Sequence, residues 1–188
     1  MRILYLIHNY PPHHVAGTEM YTVNVTRELA QHPDHQVAVL HPVYTSASDF
    51  ARQRRTDADG VTVYEILGGT HRLRFAFGSE LAQEGFMAQV RAVLDEFQPA
   101  LAHVQHLMGF PVLPLLRELH ARKIPILYTL HDFWLICPRY HLLRADNRLC
   151  TGPRHGLWTC AVCRQGVPLL PFADAVLGPL ERLEVLAL

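Results

Sequence analysis

No cysteine occurs in the first 136 residues of this 188-residue chain; all four, Cys137, Cys150, Cys160 and Cys163, fall within 27 residues of one another. No stretch approaches the roughly 18 consecutive apolar residues of a membrane-spanning helix. The apolar start "MRILYLI" is too short for a secretory signal, and polar "HNYPPHH" follows it without a small-residue cleavage pattern. These absences set the expectation of a cytoplasmic protein whose thiols stay reduced. Excess charge of either sign is also missing. Lys+Arg and Asp+Glu are 17 each, so there is no electrostatic case for a nucleic-acid partner. No G-x-G-x-x-G is present, which excludes the dinucleotide fingerprint, and no G-K-[ST], which excludes a P-loop. Internal repeats and low-complexity tracts are absent as well.

What is present is ordinary for one globular domain: 49% hydrophobic residues and enough length for a real core. Short β-rich apolar runs alternate with helical patterns. "RILYLI" ends at His8. "TEMYTVNVTRELAQ" carries Tyr21, Val25 and Leu29 at i+4 spacing. "QVAVLHP" is a second strand, "SASDFARQRRTDADG" a polar loop and "VTVYEIL" a third strand. "SELAQEGFMAQVRAVLDEFQP" puts Phe86, Val90, Val93 and Phe97 on one helical face and stops at Pro99. "LAHVQH" is a fourth strand, "PVLPLLRELHARK" a helix with prolines in its first turns, and "PILYTL" a fifth strand. "ADAVLGP" is compatible with a last strand and "LERLEVLAL" with a helix. Strands separated by helices require parallel crossovers. The fold class is therefore α/β: a single Rossmann-like doubly wound parallel sheet, with an irregular four-cysteine insert over residues 132–165 after the fifth strand.

Ligands of open parallel sheets bind beyond the carboxyl ends of the strands. Those ends are polar here: His8-Asn9, His41, His106 and His131-Asp132. One such histidine is usually a solvated loop residue. Four in one topological position imply a polar crevice for hydroxyl-rich or anionic ligands. In the first loop, Gly17 precedes a helix whose N-cap is expected at Thr18, and free backbone N–H groups there suit a phosphate or sugar oxygen. The plainer reading is a glycine turn and a cap.

The cysteines are spaced C-x12-C, then x9, then C-x2-C. The C-x2-C pair is a usual chelating unit, and two further thiolates would complete a tetrahedral structural zinc site of Cys137, Cys150, Cys160 and Cys163. Two disulfides, in one of three pairings, or four unlinked thiols are the alternatives. In "THRLRFAFG", Arg72, Arg74, Phe75 and Phe77 are basic and aromatic together, with "ARQRR" nearby in sequence. Peripheral contact with anionic lipid at the inner face of the membrane is one reading, a solvated or locally packed loop the other.

The order "RILYLIHNYPPHHVAGTEMYTVNVTRELA", "HQVAVLHP", "LAHVQHL", "PILYTLHDFWLICPR" resembles the N-terminal domain of family-4 glycosyltransferases of the GT-B fold, from Arg2 to at least Cys163. The most specific pieces are the PP…G-x-E loop and the T-x-H-D segment. "HDFWLICPR…C..C" is similar to a subgroup of that family with a cysteine-bearing insert. The resemblance implies one half of a two-domain enzyme. Its N-terminal half receives a glycan or lipid-linked acceptor. Its C-terminal half holds a nucleotide-diphospho-sugar with an E-x7-E motif. Transfer is of the hexosyltransferase type, retains anomeric configuration and uses no metal ion or other cofactor for catalysis. By the same resemblance His131 contacts the donor sugar as the catalytic candidate, and the Ala16-Gly17 loop approaches the sugar and diphosphate. Asn9, Gly17, Thr18, His106, Asp132 and Arg139 are the substrate-binding candidates. The family often has paired glycines where this chain has Ala16-Gly17. No two glutamates here are eight positions apart, so the donor domain is expected to be absent from residues 1–188 and the isolated chain to be inactive. A non-catalytic sugar- or nucleotide-binding module, or a subunit pairing with a donor-binding chain, is the alternative.

Overall fold

The computed structural model describes residues 1–47, 49–57, 59–69, 80–137, 139–144, 146–152, 160 and 163. The elements are β1 (Arg2–Leu6), α1 (Gly17–Ala30), β2 (Gln36–Val43), β3 (Ala51–Thr56), β4 (Thr62–Leu67), α2 (Glu80–Phe97), β5 (Leu101–Val104), α3 (Val112–Ala121) and β6 (Ile126–Tyr128). They build one six-stranded sheet in the order β3-β4-β2-β1-β5-β6. Every pairing is parallel except β3 with β4. The chain divides into two compact units, Met1–His131 and Asp132–Leu188.

The strands are apolar on both faces, as helices on both sides of a parallel sheet require. Ile3, Tyr5 and Ile7 of the β1 run pack with Val37, Val39, Val61 and Val63, and α1 covers this face with Val23, Val25 and Leu29. The alternate residues point the other way. There Tyr64 meets Phe97 of α2 with ring centroids 6.5 Å apart, and Phe86, Val90, Val93 and Leu94 of α2 are buried. Each such aliphatic or aromatic side chain contributes roughly 1.5–3 kcal/mol on burial. α3 adds Leu115 and Leu119, both fully buried.

Two expectations are corrected. Residues read as a polar loop contain β3, whose ARQRRT sequence is almost wholly exposed. Apolar periodicity could not reveal it, because an edge strand needs no buried face of its own. Its antiparallel register, Ala51↔Leu67 to Thr56↔Thr62, is set by the turn after it. There Asp57 Oδ1 accepts the Asp59 and Val61 N–H groups at 3.1 and 2.9 Å. Arg52 and Arg54 stand over the Tyr64 ring and both reach Glu96 of α2, at 2.6 and 3.0 Å. A charged edge of this kind resists pairing with foreign strands. The sheet is thus doubly wound with one antiparallel edge. The second correction concerns Thr18. The N-cap is Ala16, which is extended and makes no side-chain cap bond, while Thr18 lies inside the first turn. Its carbonyl accepts the Thr22 hydroxyl at 2.8 Å, and Thr26 repeats that back-bond onto Thr22.

The second unit begins with a turn in which Asp132 Oδ1 accepts the Trp134 N–H at 2.8 Å and Cys137 donates its N–H to the Phe133 carbonyl at 2.7 Å. A small hairpin follows. Leu143 bridges Leu149, Arg144 N–H meets the Arg148 carbonyl, and Cys150 N–H meets that of Leu142. Asn147 adopts the left-handed region, φ 61°, in its turn, which asparagine tolerates better than most residues.

Candidate functional site

The strand order reverses direction between β1 and β5: the chain leaves β1 toward β2 on one side and leaves β5 toward β6 on the other. Such a switch point opens a crevice at the carboxyl ends of the two strands. Residues following β1, β5 and β6 collect there. The His8 and His106 rings lie with centroids 4.6 Å apart. His8 Nε2 is 3.2 Å from Glu19 Oε1, and His14 Nδ1 is 3.3 Å from the same oxygen. Glu19 is in the first turn of α1, where the helix dipole favours a negative charge. Its carboxylate is 1% exposed, and neither oxygen has a hydrogen bond of full geometry among the described residues. His106 is buried and its Nδ1 accepts the Met108 N–H at 3.1 Å, which assigns the proton of the neutral ring to Nε2.

His131 is half-buried. Its Nε2 lies 2.7 Å from Oε1 of Gln105, and its ring meets Tyr21 of α1 edge-on at 5.0 Å. Beneath it, His103 pairs with the Thr129 hydroxyl at 2.8 Å and packs on Tyr5. Burial, and then the neighbouring His131, lower the His103 pKa. Burial also pushes the Tyr5 phenol up to about 12, with Tyr21 adding to the shift.

His41 does not join this crevice. The strand runs on to Val43, and His41 pairs in register with Glu65 inside the sheet, fully buried. Glu65 Oε1 is 3.4 Å from His41, 3.4 Å from His13 and 2.8 Å from Arg55. His41 beside it, and then Arg55, outweigh burial and hold the Glu65 carboxyl down at about 2. Arg55 also donates to the Pro11 carbonyl. This cluster pins the cis Pro11-Pro12 loop to the sheet.

Asn9 is half-buried beside His8. Gly17 opens α1 with nothing among the described residues within 4 Å of where a Cβ would stand, which leaves the backbone there room for a ligand. In the second unit, Asp132 makes its turn to Trp134, and Arg139 donates to the Cys163 carbonyl at 3.2 Å. Cys137 is buried, and Cys150, Cys160 and Cys163 are partly exposed. Among the described residues, no three His, Cys, Asp or Glu side chains gather as ligands for a metal ion. Among the same residues no helix is long and apolar enough to cross a membrane. Arg72, Arg74, Phe75 and Phe77 lie outside the described residues, as do "ADAVLGP" and "LERLEVLAL".

Sequence reasoning missed Gln105, Glu19 and Glu65. Glu19 had a signal, the G-x-E of the first loop. Gln105 had only its place between His103 and His106. Nothing marked Glu65, a lone charge in the apolar run "VTVYEIL".

The sequence matches the family described as Glycosyltransferase Family 4 over residues 15–176. Among solved structures it is similar to one titled "Trehalose-6-phosphate from E. coli bound with UDP-2-fluoro glucose". That likeness has 12% identity and a TM-score of 0.40, and covers 70% of this chain. The chain spans 33% of that protein's length. No curated protein matches it.

Proposed function

The chain belongs to Glycosyltransferase Family 4, and from that premise we propose that residues 1–188 are the acceptor-side half of a retaining enzyme of the hexosyltransferase type. It moves a sugar from a nucleotide-diphospho-sugar to a glycan or lipid-linked acceptor. The observation that carries this reading is that the His8–His106 pair and His131 each meet the first turns of α1, through Glu19 and Tyr21, beside the open Gly17 at the switch point. Imidazoles and free backbone N–H groups recognise hydroxyls and phosphate oxygens, which are the groups a sugar donor and acceptor present. His131 contacts the transferred sugar. Asn9, Gly17, Thr18 and His106 line the same crevice. Asp132 and Arg139, in the second unit, are further substrate-binding residues of the complete enzyme.

Stabilising the leaving diphosphate should dominate catalysis of such a transfer. No E-x7-E pair lies within these residues, so we place that task on a donor-binding domain outside them. The test is a transfer assay with a panel of nucleotide sugars. Residues 1–188 alone should not turn over, and addition of a donor-binding domain should restore transfer. Enzyme-like turnover by residues 1–188 alone overturns the division of labour. Failure of every donor with the complete protein favours a non-catalytic module.

The spacing of Cys137, Cys150, Cys160 and Cys163 supports one structural zinc in residues 132–165, although the described residues do not gather the thiols. Zinc would order this segment, whose described residues form turns and a small hairpin. Metal analysis after purification under reducing conditions should find about one zinc per chain, lost in Cys160→Ser. Four free thiols and no metal remove this assignment.

A further inference from the structure

We infer that Gln105 is a positioning residue: it fixes the ring plane of His131 and its neutral tautomer, with the proton on Nε2. This rests on the reading of His131 as the residue that meets substrate, and it narrows what His131 recognises. Two side-chain bonds with the same offset of 26 residues link the β5 run to the β6 run. His103 Nε2 meets Thr129 Oγ1 at 2.8 Å, and Gln105 Oε1 meets His131 Nε2 at 2.7 Å. The offset is shared because β5 and β6 are parallel and in register, with Ala102↔Ile126 and Val104↔Tyr128. Side chains two apart therefore point the same way and repeat the contact one rung on. Backbone bonds carry the ladder past the strand ends, from Thr129 N–H to Val104 and from Gln105 N–H to Leu6. Gln105 is thus held by its neighbours before its side chain contacts His131.

The Gln105 side chain is wholly buried, and its Nε2 has no partner among the described residues. Its amide oxygen can only accept, so His131 must donate from Nε2. In the neutral ring the lone pair then sits on Nδ1, and any group meeting Nδ1 must donate. A sugar hydroxyl satisfies that demand; a carbonyl or an ionised phosphate oxygen does not. The T-shaped contact with Tyr21 restrains the ring from a second direction.

The experiment is nitrogen-15 NMR of the imidazoles in residues 1–188 at a pH where they are neutral, with His131 assigned by loss of its signals in His131→Gln. A protonated Nε2 in the parent protein, becoming a tautomer mixture in Gln105→Leu, supports the assignment. A protonated Nδ1 in the parent, or an unchanged Nε2 tautomer in Gln105→Leu, overturns it. The parent spectrum decides even if Gln105→Leu does not fold. In the complete enzyme Gln105→Leu should lower kcat by about 10-fold with KM nearly unchanged, and Gln105→Glu, which keeps the acceptor, should restore the Nε2 tautomer. A shifted tautomer in Gln105→Leu, with full turnover in His131→Ala, would remove the role of His131 while leaving the positioning intact.

Discussion

Glu19 and Glu65 are both buried, and each is approached by two histidines, yet their electrostatic settings differ. Glu65 has His41 and His13 at 3.4 Å and the permanent charge of Arg55 at 2.8 Å. Glu19 has His8 and His14 at 3.2 and 3.3 Å, and among the described residues no arginine or lysine. A guanidinium is charged at every relevant pH, whereas an imidazole offers a full positive charge only when protonated. The first cluster is therefore a closed ion pair that ties β2, β3, β4 and the Pro11-Pro12 loop together. The second stands at the switch point beside Gly17, where space remains for a ligand. Two histidine-rich corners of one sheet thus divide into a structural tie and a candidate binding site.

The comparison breaks most sharply at Glu65. Replacing Glu65 with Gln leaves Arg55 without its carboxylate in a partly buried position, and should destabilise the protein by about 3–5 kcal/mol, read by denaturant unfolding at pH 7. Acid titration should produce a related effect. The Glu65 carboxyl is held at about 2, against an ordinary 4.5. Its contribution is fully present above pH 4.5 and is lost as pH falls through 2. The total is on the order of 3 kcal/mol. Stability measured between those limits should slope with pH in the parent and flatten in Glu65→Gln.

The binding-site side of the comparison is sharpened by His131→Ala. In the complete enzyme it should lower kcat/KM on the order of 100-fold, a loss of about 2.7 kcal/mol in transition-state stabilisation, with the fold intact and a stability loss of only about 1–3 kcal/mol from the unpaired Gln105 amide. Unchanged turnover would return His131 to the class of loop histidines with no role. The smallest expected effect is at Glu19. At pH 8, Glu19→Gln should change stability by no more than about 1 kcal/mol. A loss matching that of Glu65→Gln would show that the two clusters are electrostatically alike after all.

Much of the fold is legible in local stretches of the chain. The apolar runs at Arg2–Leu6, Gln36–Val43, Thr62–Leu67, Leu101–Val104 and Ile126–Tyr128 are strands, and the face of Phe86, Val90 and Val93 is a buried helix face. Burial on both sides of a parallel sheet forces continuous apolar character, which leaves a strong local signal. β3 left none, because an exposed edge strand is held by backbone pairing with β4, and backbone bonds do not depend on side-chain type. Thr18 was misplaced for a related reason. A side chain able to cap was present, but the turn began at Ala16, whose backbone alone met the requirement.

The chemistry divides along the same line. Sequence alone determined which imidazoles follow strands, and that the first loop carries a glycine and an acid at a helix start. Tertiary structure alone decided that His41 belongs to the core, that His8 packs against His106, and that Gln105 is what holds His131. Strand-end position is a local property, legible from the length of an apolar run. Which strand ends become neighbours depends on sheet order, and residues 8 and 106 meet only because β5 inserts beside β1. Contacts between distant segments are set by the packing of the whole sheet, and no window of the chain contains them.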